Sequence, residues 1–139
     1  MNNSMKIQFV ALPENEAFAR ACISSFIIPL NPSLSELSDI KTAVSEGVTN
    51  AIVHAYPDGI GQICLYANII GNKLHITIED AGIGIKDIAQ AREPFYTTKS
   101  QNEHSGMGFT VMETFMDNFK ITSELGVGTK IDMEKNIGT

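Results

Sequence analysis

No apolar run in this 139-residue sequence reaches the ~18 residues a membrane-spanning helix needs, so no membrane association is expected. The opening residues, Met1 to Lys6, lack the apolar core of a signal peptide. Only two cysteines occur, Cys22 and Cys64, both in apolar stretches without C-x-x-C or His-rich spacing. They read as buried free thiols, and the expected compartment is the cytoplasm. Positive charge is sparse and scattered, with 10 Lys and Arg against 16 Asp and Glu and a net charge of −6. That balance argues against direct nucleic-acid binding, which needs a clustered cationic patch for phosphates. It suits a basic protein partner, or a nucleotide whose charge is met by a metal.

Familiar catalytic signatures are missing too. There is no G-x-x-x-x-G-K-[ST], which removes a P-loop. The H-R-D and D-F-G motifs of ordinary protein kinases do not occur. No G-x-G-x-x-G follows a strand, and no thiolate or imidazole cluster could hold zinc.

What remains is a chain 43% hydrophobic, without repeats, low-complexity tracts or linkers, which reads as a single domain over 1–139. Lys6 to Ala11 alternates as a first strand. Glu14 to Leu30 has a helical rhythm through Phe18, Ala21, Cys22, Ser25 and Phe26, and Asn31-Pro32 then caps the next helix. That helix, roughly Ser33 to Tyr56, carries one apolar stripe of Leu37, Ile40, Val44, Val48, Ala51 and Ala55. Strands over Gln62 to Ile70 and Lys73 to Asp80 are joined by Gly71-Asn72. A turn-rich stretch from Ala81 to Ser105 holds only a short helical piece near Asp87 to Arg92. A helix from Met107 to Asn118, then strands Phe119 to Leu125 and Thr129 to Lys135, complete the chain. The order β-α-α-β-β-loop-α-β-β predicts an α+β (layered α/β) sandwich, with helices on one face of a mixed, mostly antiparallel sheet. A turn-rich stretch this long marks a lid over about residues 93–106 more readily than a spacer.

Three segments could do chemistry. Residues four apart on a helix are offset by only ~40°, so Glu46, Asn50 and His54 share a stripe beside the apolar one. A carboxylate there can take a proton from a hydroxyl, and an Asn oxygen suits Mg²⁺, although a solvated polar face has the same pattern. Asp80-Ala81-Gly82-Ile83-Gly84 leaves a strand with an acceptor followed by two glycines that allow close backbone approach. An ordinary glycine turn would read alike. Ser105-Gly106-Met107-Gly108-Phe109 opens a helix, as a phosphate cradle or a plain N-cap would. Before it, Glu93-Pro94-Phe95-Tyr96-Thr97-Thr98-Lys99-Ser100 brings hydroxyls and one cation, as a hinged lid or an anchored surface loop.

In order and spacing, E-x-x-x-N, D-x-G-x-G, S-G-M-G-F and G-x-G-T at Gly126 to Thr129 resemble the gyrase, histidine kinase and MutL-type ATPase superfamily. Within it, the whole chain is similar to the small anti-sigma serine kinases of spore-forming bacteria. The likeness runs through Glu14 to Arg20, Val44 to Glu46, Asn50 to Ile52, Pro94 to Lys99 and Ser105 to Phe109. The resemblance implies a Bergerat-type fold acting as a homodimer, with ATP or ADP and Mg²⁺ as cofactors. Asn50 would ligate the metal and Asp80 would contact the adenine amine. Gly82 and Gly84 would shape the base pocket, with Thr129 beside it. Thr98, Lys99, Ser105, Gly106, Met107, Gly108 and Phe109 would complete the ATP site. Glu46 would be the general base toward a serine of an anti-anti-sigma factor, and Arg20 and Glu16 would meet partners, including a sporulation sigma factor of the sigma F type. One departure stands in the lid, where Glu103-His104-Ser105-Gly106 replaces the family's E-R-S-G and removes a cation from the phosphates. It keeps open a nucleotide-gated sigma-binding module with little kinase activity. A closely related general-stress anti-sigma kinase is a further alternative.

Overall fold

The computed structural model describes residues 1–57, 59–88 and 108–138. Five strands form one sheet in the order β1-β2-β3-β5-β4: β1 Asn2–Val10, β2 Gln62–Ile70, β3 Lys73–Asp80, β4 Asn118–Glu124 and β5 Gly128–Asn136. Every pairing is antiparallel, so the sheet is simpler than the mixed one expected. Among the described residues three helices, α1 Asn15–Ile27, α2 Leu34–His54 and α3 Gly108–Phe115, complete the α+β sandwich. A 3₁₀ turn over Ile28–Leu30 separates the first two.

Strand alternation decides which residues meet the helices. Ile63, Leu65, Ala67 and Ile69 of β2, Leu74, Ile76 and Ile78 of β3, and Ile131 and Met133 of β5 are all buried in one core. Each of these side chains larger than alanine contributes about 1.5–3 kcal/mol of burial. The alternate residues form a polar outer face, where Thr77 donates to Asp132 (2.8 Å) and His75 lies 3.2 Å from the same oxygen.

α2 buries its expected stripe, with Ile40, Val44, Val48, Ala51 and Ala55 all buried and Leu37 packed against them. Its cap is not Asn31-Pro32. Ser33 accepts from the Glu36 N–H while Glu36 accepts from the Ser33 N–H, a reciprocal box that leaves Pro32 outside the helix. α1 also differs: Ala19, Ile23 and Ile27 are its buried face, not the face centred on Phe18. Phe18 is 51% exposed and meets Phe9 edge-on at 6.4 Å.

β1 begins four residues early, since Asn2, Asn3 and Ser4 pair along β2 with no apolar alternation to announce them. α3 ends at Phe115 rather than Asn118, where Lys135 Nζ donates to the Phe115 carbonyl and Asp117 N–H to the Glu134 carbonyl. Both cysteines are free but only half-buried: Cys64 falls on the outer face of β2, between the buried Ile63 and Leu65. Of the short helical piece near Asp87, only Asp87 and Ile88 lie within the described residues.

Candidate functional site

Asp80 ends β3, the central strand, directly opposite Thr129 on β5. It continues the parity of Ile76 and Ile78, so its side chain falls on the helix side of the sheet. Burial raises its pKa above the ordinary carboxylate value; N–H donation from Gly82 and Thr129 opposes the rise, and the Glu79 charge adds to it. The Gly82 donor lies 2.9 Å from Oδ1. This half-buried carboxylate pairs with no cation among the described residues.

The turn after Asp80 is strapped to the end of α2. Ala81 N–H donates to the Tyr56 hydroxyl (2.9 Å), which itself donates to the Gln62 carbonyl (2.7 Å). Ile83 N–H takes the Ala55 carbonyl at 2.9 Å. Gly82 is the point of closest approach, since a Cβ there would lie 2.2 Å from that carbonyl oxygen. Gly84, at φ +78°, faces the Glu124 carbonyl in the same way. The two glycines therefore fix the Asp80 turn against α2 and against the β4–β5 hairpin. Gly82→Ala is expected to cost about 1–3 kcal/mol of stability. A urea melt reads it; an unchanged midpoint would mean the turn can back away freely.

Ser123 extends this fixture. It accepts from Ile85 N–H (2.7 Å), donates to the Gly128 carbonyl and lies 2.8 Å from the buried Thr129 hydroxyl. Sequence reasoning passed over both Ser123 and Tyr56. Tyr56 had one visible signal, its position directly after the Glu46, Asn50, His54 stripe; Ser123 had none.

On α2, Glu46, Asn50 and His54 are all half-buried along the stripe beside the core face. Asn50 lies just over one turn before Ala55, the residue that receives the Asp80 turn. Among the described residues no cluster of three or more His, Cys, Asp or Glu could hold a metal ion. The amide oxygen of Asn50 is the kind of single neutral ligand that Mg²⁺ accepts when phosphate and water complete its shell. α3 packs along α2, and Gly108 and Phe109 of its first turn are both buried. Phe109 turns its ring into the core toward Phe119, at 6.2 Å, which leaves only its backbone for a ligand. Thr98, Lys99, Ser105, Gly106 and Met107, with the lid over 93–106, lie outside the described residues.

A concavity of about 740 Å³ touches Asp80 but opens mainly on the outer face, among Gln8, Cys64, Glu79 and Lys130. The parity of Asp80 and Thr129 points the other way, toward α2. Elsewhere, Glu16 accepts from the Ser45 hydroxyl (2.6 Å), tying α1 to α2 beside Glu46. Its other oxygen is buried with no hydrogen-bond partner among the described residues and lies 3.5 Å from Arg20 Nε, while Arg20 itself stays substantially exposed.

An acceptor-bearing strand end is thus clamped to the end of a helix that carries a carboxylate and an amide on one stripe. Residues 9–135 match the family described as histidine kinase-like ATPase domain. Over its whole length the chain is 53% identical to the anti-sigma F factor of Clostridium perfringens, all of which is covered. It is 50% identical to that of Clostridium kluyveri, over 96% of this chain and 94% of the relative. It is 47% identical to that of Bacillus licheniformis, over 99% and 94%. The chain therefore belongs to the histidine kinase-like ATPase family, in its anti-sigma F factor branch. In fold it superposes on the RsbU and RsbW domains of a Mycobacterium tuberculosis protein, with a TM-score of 0.69 at 17% identity over 97% of this chain and 32% of that one. The nucleotide-free catalytic domain of the histidine kinase ThkA gives 0.60 at 17% identity, over 96% of both chains. Among the described residues, no helix is long and apolar enough to cross a membrane.

Proposed function

We propose that this protein is an ATP-dependent serine kinase that, as a homodimer in the cytoplasm, captures a sporulation sigma factor of the sigma F type. It would inhibit that factor by holding it, and would use ATP to phosphorylate a serine of an anti-anti-sigma factor. The observation that carries this is the half-buried carboxylate of Asp80, which meets no cation among the described residues and is held against the helix that bears Glu46 and Asn50. Full-length identity of about half to proteins named anti-sigma F factor supports the choice of partners.

Phosphoryl transfer asks mainly for positioning and charge neutralisation. Asp80 accepts from the exocyclic amine of adenine, and Gly82, Gly84 and Thr129 bound the base. Asn50 would hold Mg²⁺ through its amide oxygen, and the ion when bound would supply charge neutralisation at the phosphates. The amides from Ser105 to Phe109, with Thr98 and Lys99, hold the phosphates. Glu46 takes the proton from the incoming serine hydroxyl. Incubation with γ-labelled ATP and the organism's own anti-anti-sigma factor tests the scheme: label should appear on a serine of that protein. Magnesium-dependent ATP binding without transfer would leave only a nucleotide-gated sigma-binding module.

Arg20, exposed on α1, is the residue we assign to partner capture, with Glu16 holding it in place. Arg20→Glu should weaken sigma-factor retention in a pull-down by about tenfold or more, as reversing an interfacial charge does. ATP affinity should be unchanged. Retention equal to the unmodified protein would remove Arg20 from the interface.

A further inference from the structure

A groove of about 320 Å³ runs between α1 and α2, lined by Arg20, Ser38, Lys41, Thr42, Ser45 and Glu46. Its chemistry contrasts with that of an acidic chain: two cations and three hydroxyls lead up to one carboxylate. Ser38, Lys41 or Thr42, and Ser45 follow one another at helical steps of three and four, so they form a single face of α2. Two of the lining groups are already engaged, since Ser45 donates to Glu16 and Arg20 pairs with it. The side chains of Lys41, Ser38 and Thr42 have no such partner among the described residues. Leu34, 86% exposed, adds apolar surface at the border.

We propose that this groove receives the acceptor protein's segment around its phosphorylatable serine, with a carboxylate of that segment seated on Lys41. The inference rests on the kinase function proposed above, in which Glu46 is the base. A base acts only on a hydroxyl delivered within about 2.6–3.2 Å, so the acceptor chain must cross the surface bordering Glu46. This groove is such a surface. Lys41 stands about 7.5 Å before Glu46 along the helix axis. An extended chain advances about 3.3 Å per residue, so the carboxylate belongs two or three residues from the acceptor serine. Ser38 and Thr42 are available to hydrogen-bond the backbone of that segment.

The test uses Lys41→Glu and Lys41→Ala in the full chain, with saturating ATP and the organism's own anti-anti-sigma factor. Lys41→Glu should raise KM for the acceptor by about tenfold, with kcat and nucleotide affinity unchanged and Lys41→Ala intermediate. Replacing one acidic residue within three positions of the acceptor serine by Lys should restore KM with Lys41→Glu while impairing the wild type. An unchanged KM, or no rescue by any such replacement, overturns the proposal. If the wild type transfers no phosphate, the kinase function itself fails. The groove is then judged by titrating the same acceptor: binding about tenfold weaker to Lys41→Glu supports it, and equal binding overturns it.

Discussion

Glu46→Gln is expected to leave ATP binding intact while reducing phosphorylation of the acceptor by about 10²–10⁴-fold. The substitution keeps the size and the hydrogen-bonding reach of the side chain but removes its ability to take a proton. Position 46 is half-buried on α2, off the core stripe, so the fold should not respond. The effect should fall on kcat, because the base acts on a hydroxyl already delivered. Single-turnover transfer from labelled ATP reads it directly. Normal transfer by Glu46→Gln would move the base elsewhere.

Asp80→Asn is expected to weaken ATP and ADP by about 10–100-fold, the loss of a hydrogen bond to a charged acceptor. Asn can still accept the Gly82 N–H through its oxygen, but its NH₂ would then face the adenine amine, donor against donor. The pH dependence gives a second handle. Burial raises the Asp80 pKa above the ordinary value of 3.8, so the residue protonates before an exposed carboxylate does as the solution is acidified. Nucleotide affinity should therefore fall on the acid side, beginning above that value, and Asp80→Asn should lack this step. The sign for stability is opposite. A carboxylate whose folded pKa lies above its unfolded one costs stability once both states are ionised, so the unliganded fold loses stability as pH rises through that window. Unliganded Asp80→Asn should accordingly be no less stable than the wild type at neutral pH. A lower melting temperature, or unaltered ADP affinity, would contradict this role for Asp80.

Much of this site was legible in the sequence, for identifiable reasons. The α2 stripe is long and regular, so Glu46 and Asn50 could be assigned to one face before any coordinates. β2 and β3 were bounded correctly because alternation runs their full length and Gly71, at φ +63°, punctuates them. α1 misled because Phe18 and Phe26 are its largest apolar residues; tertiary contact selected Ala19, Ile23 and Ile27 instead. Glycines 82 and 84 signalled close approach, but not to what. Both press against backbone of this same chain, which no local pattern encodes. Tyr56 and Ser123 act between segments distant in sequence, and a lone hydroxyl carries no mark of that.

The central claim is that the Asp80 turn and the Glu46–Asn50 stripe surround one adenine nucleotide with its metal. Titration of the purified chain with ADP in a calorimeter, with Mg²⁺ and again with EDTA, tests it most directly. Saturable binding that Mg²⁺ strengthens and EDTA weakens is the result predicted. Absence of saturable heat with Mg²⁺ present would contradict it.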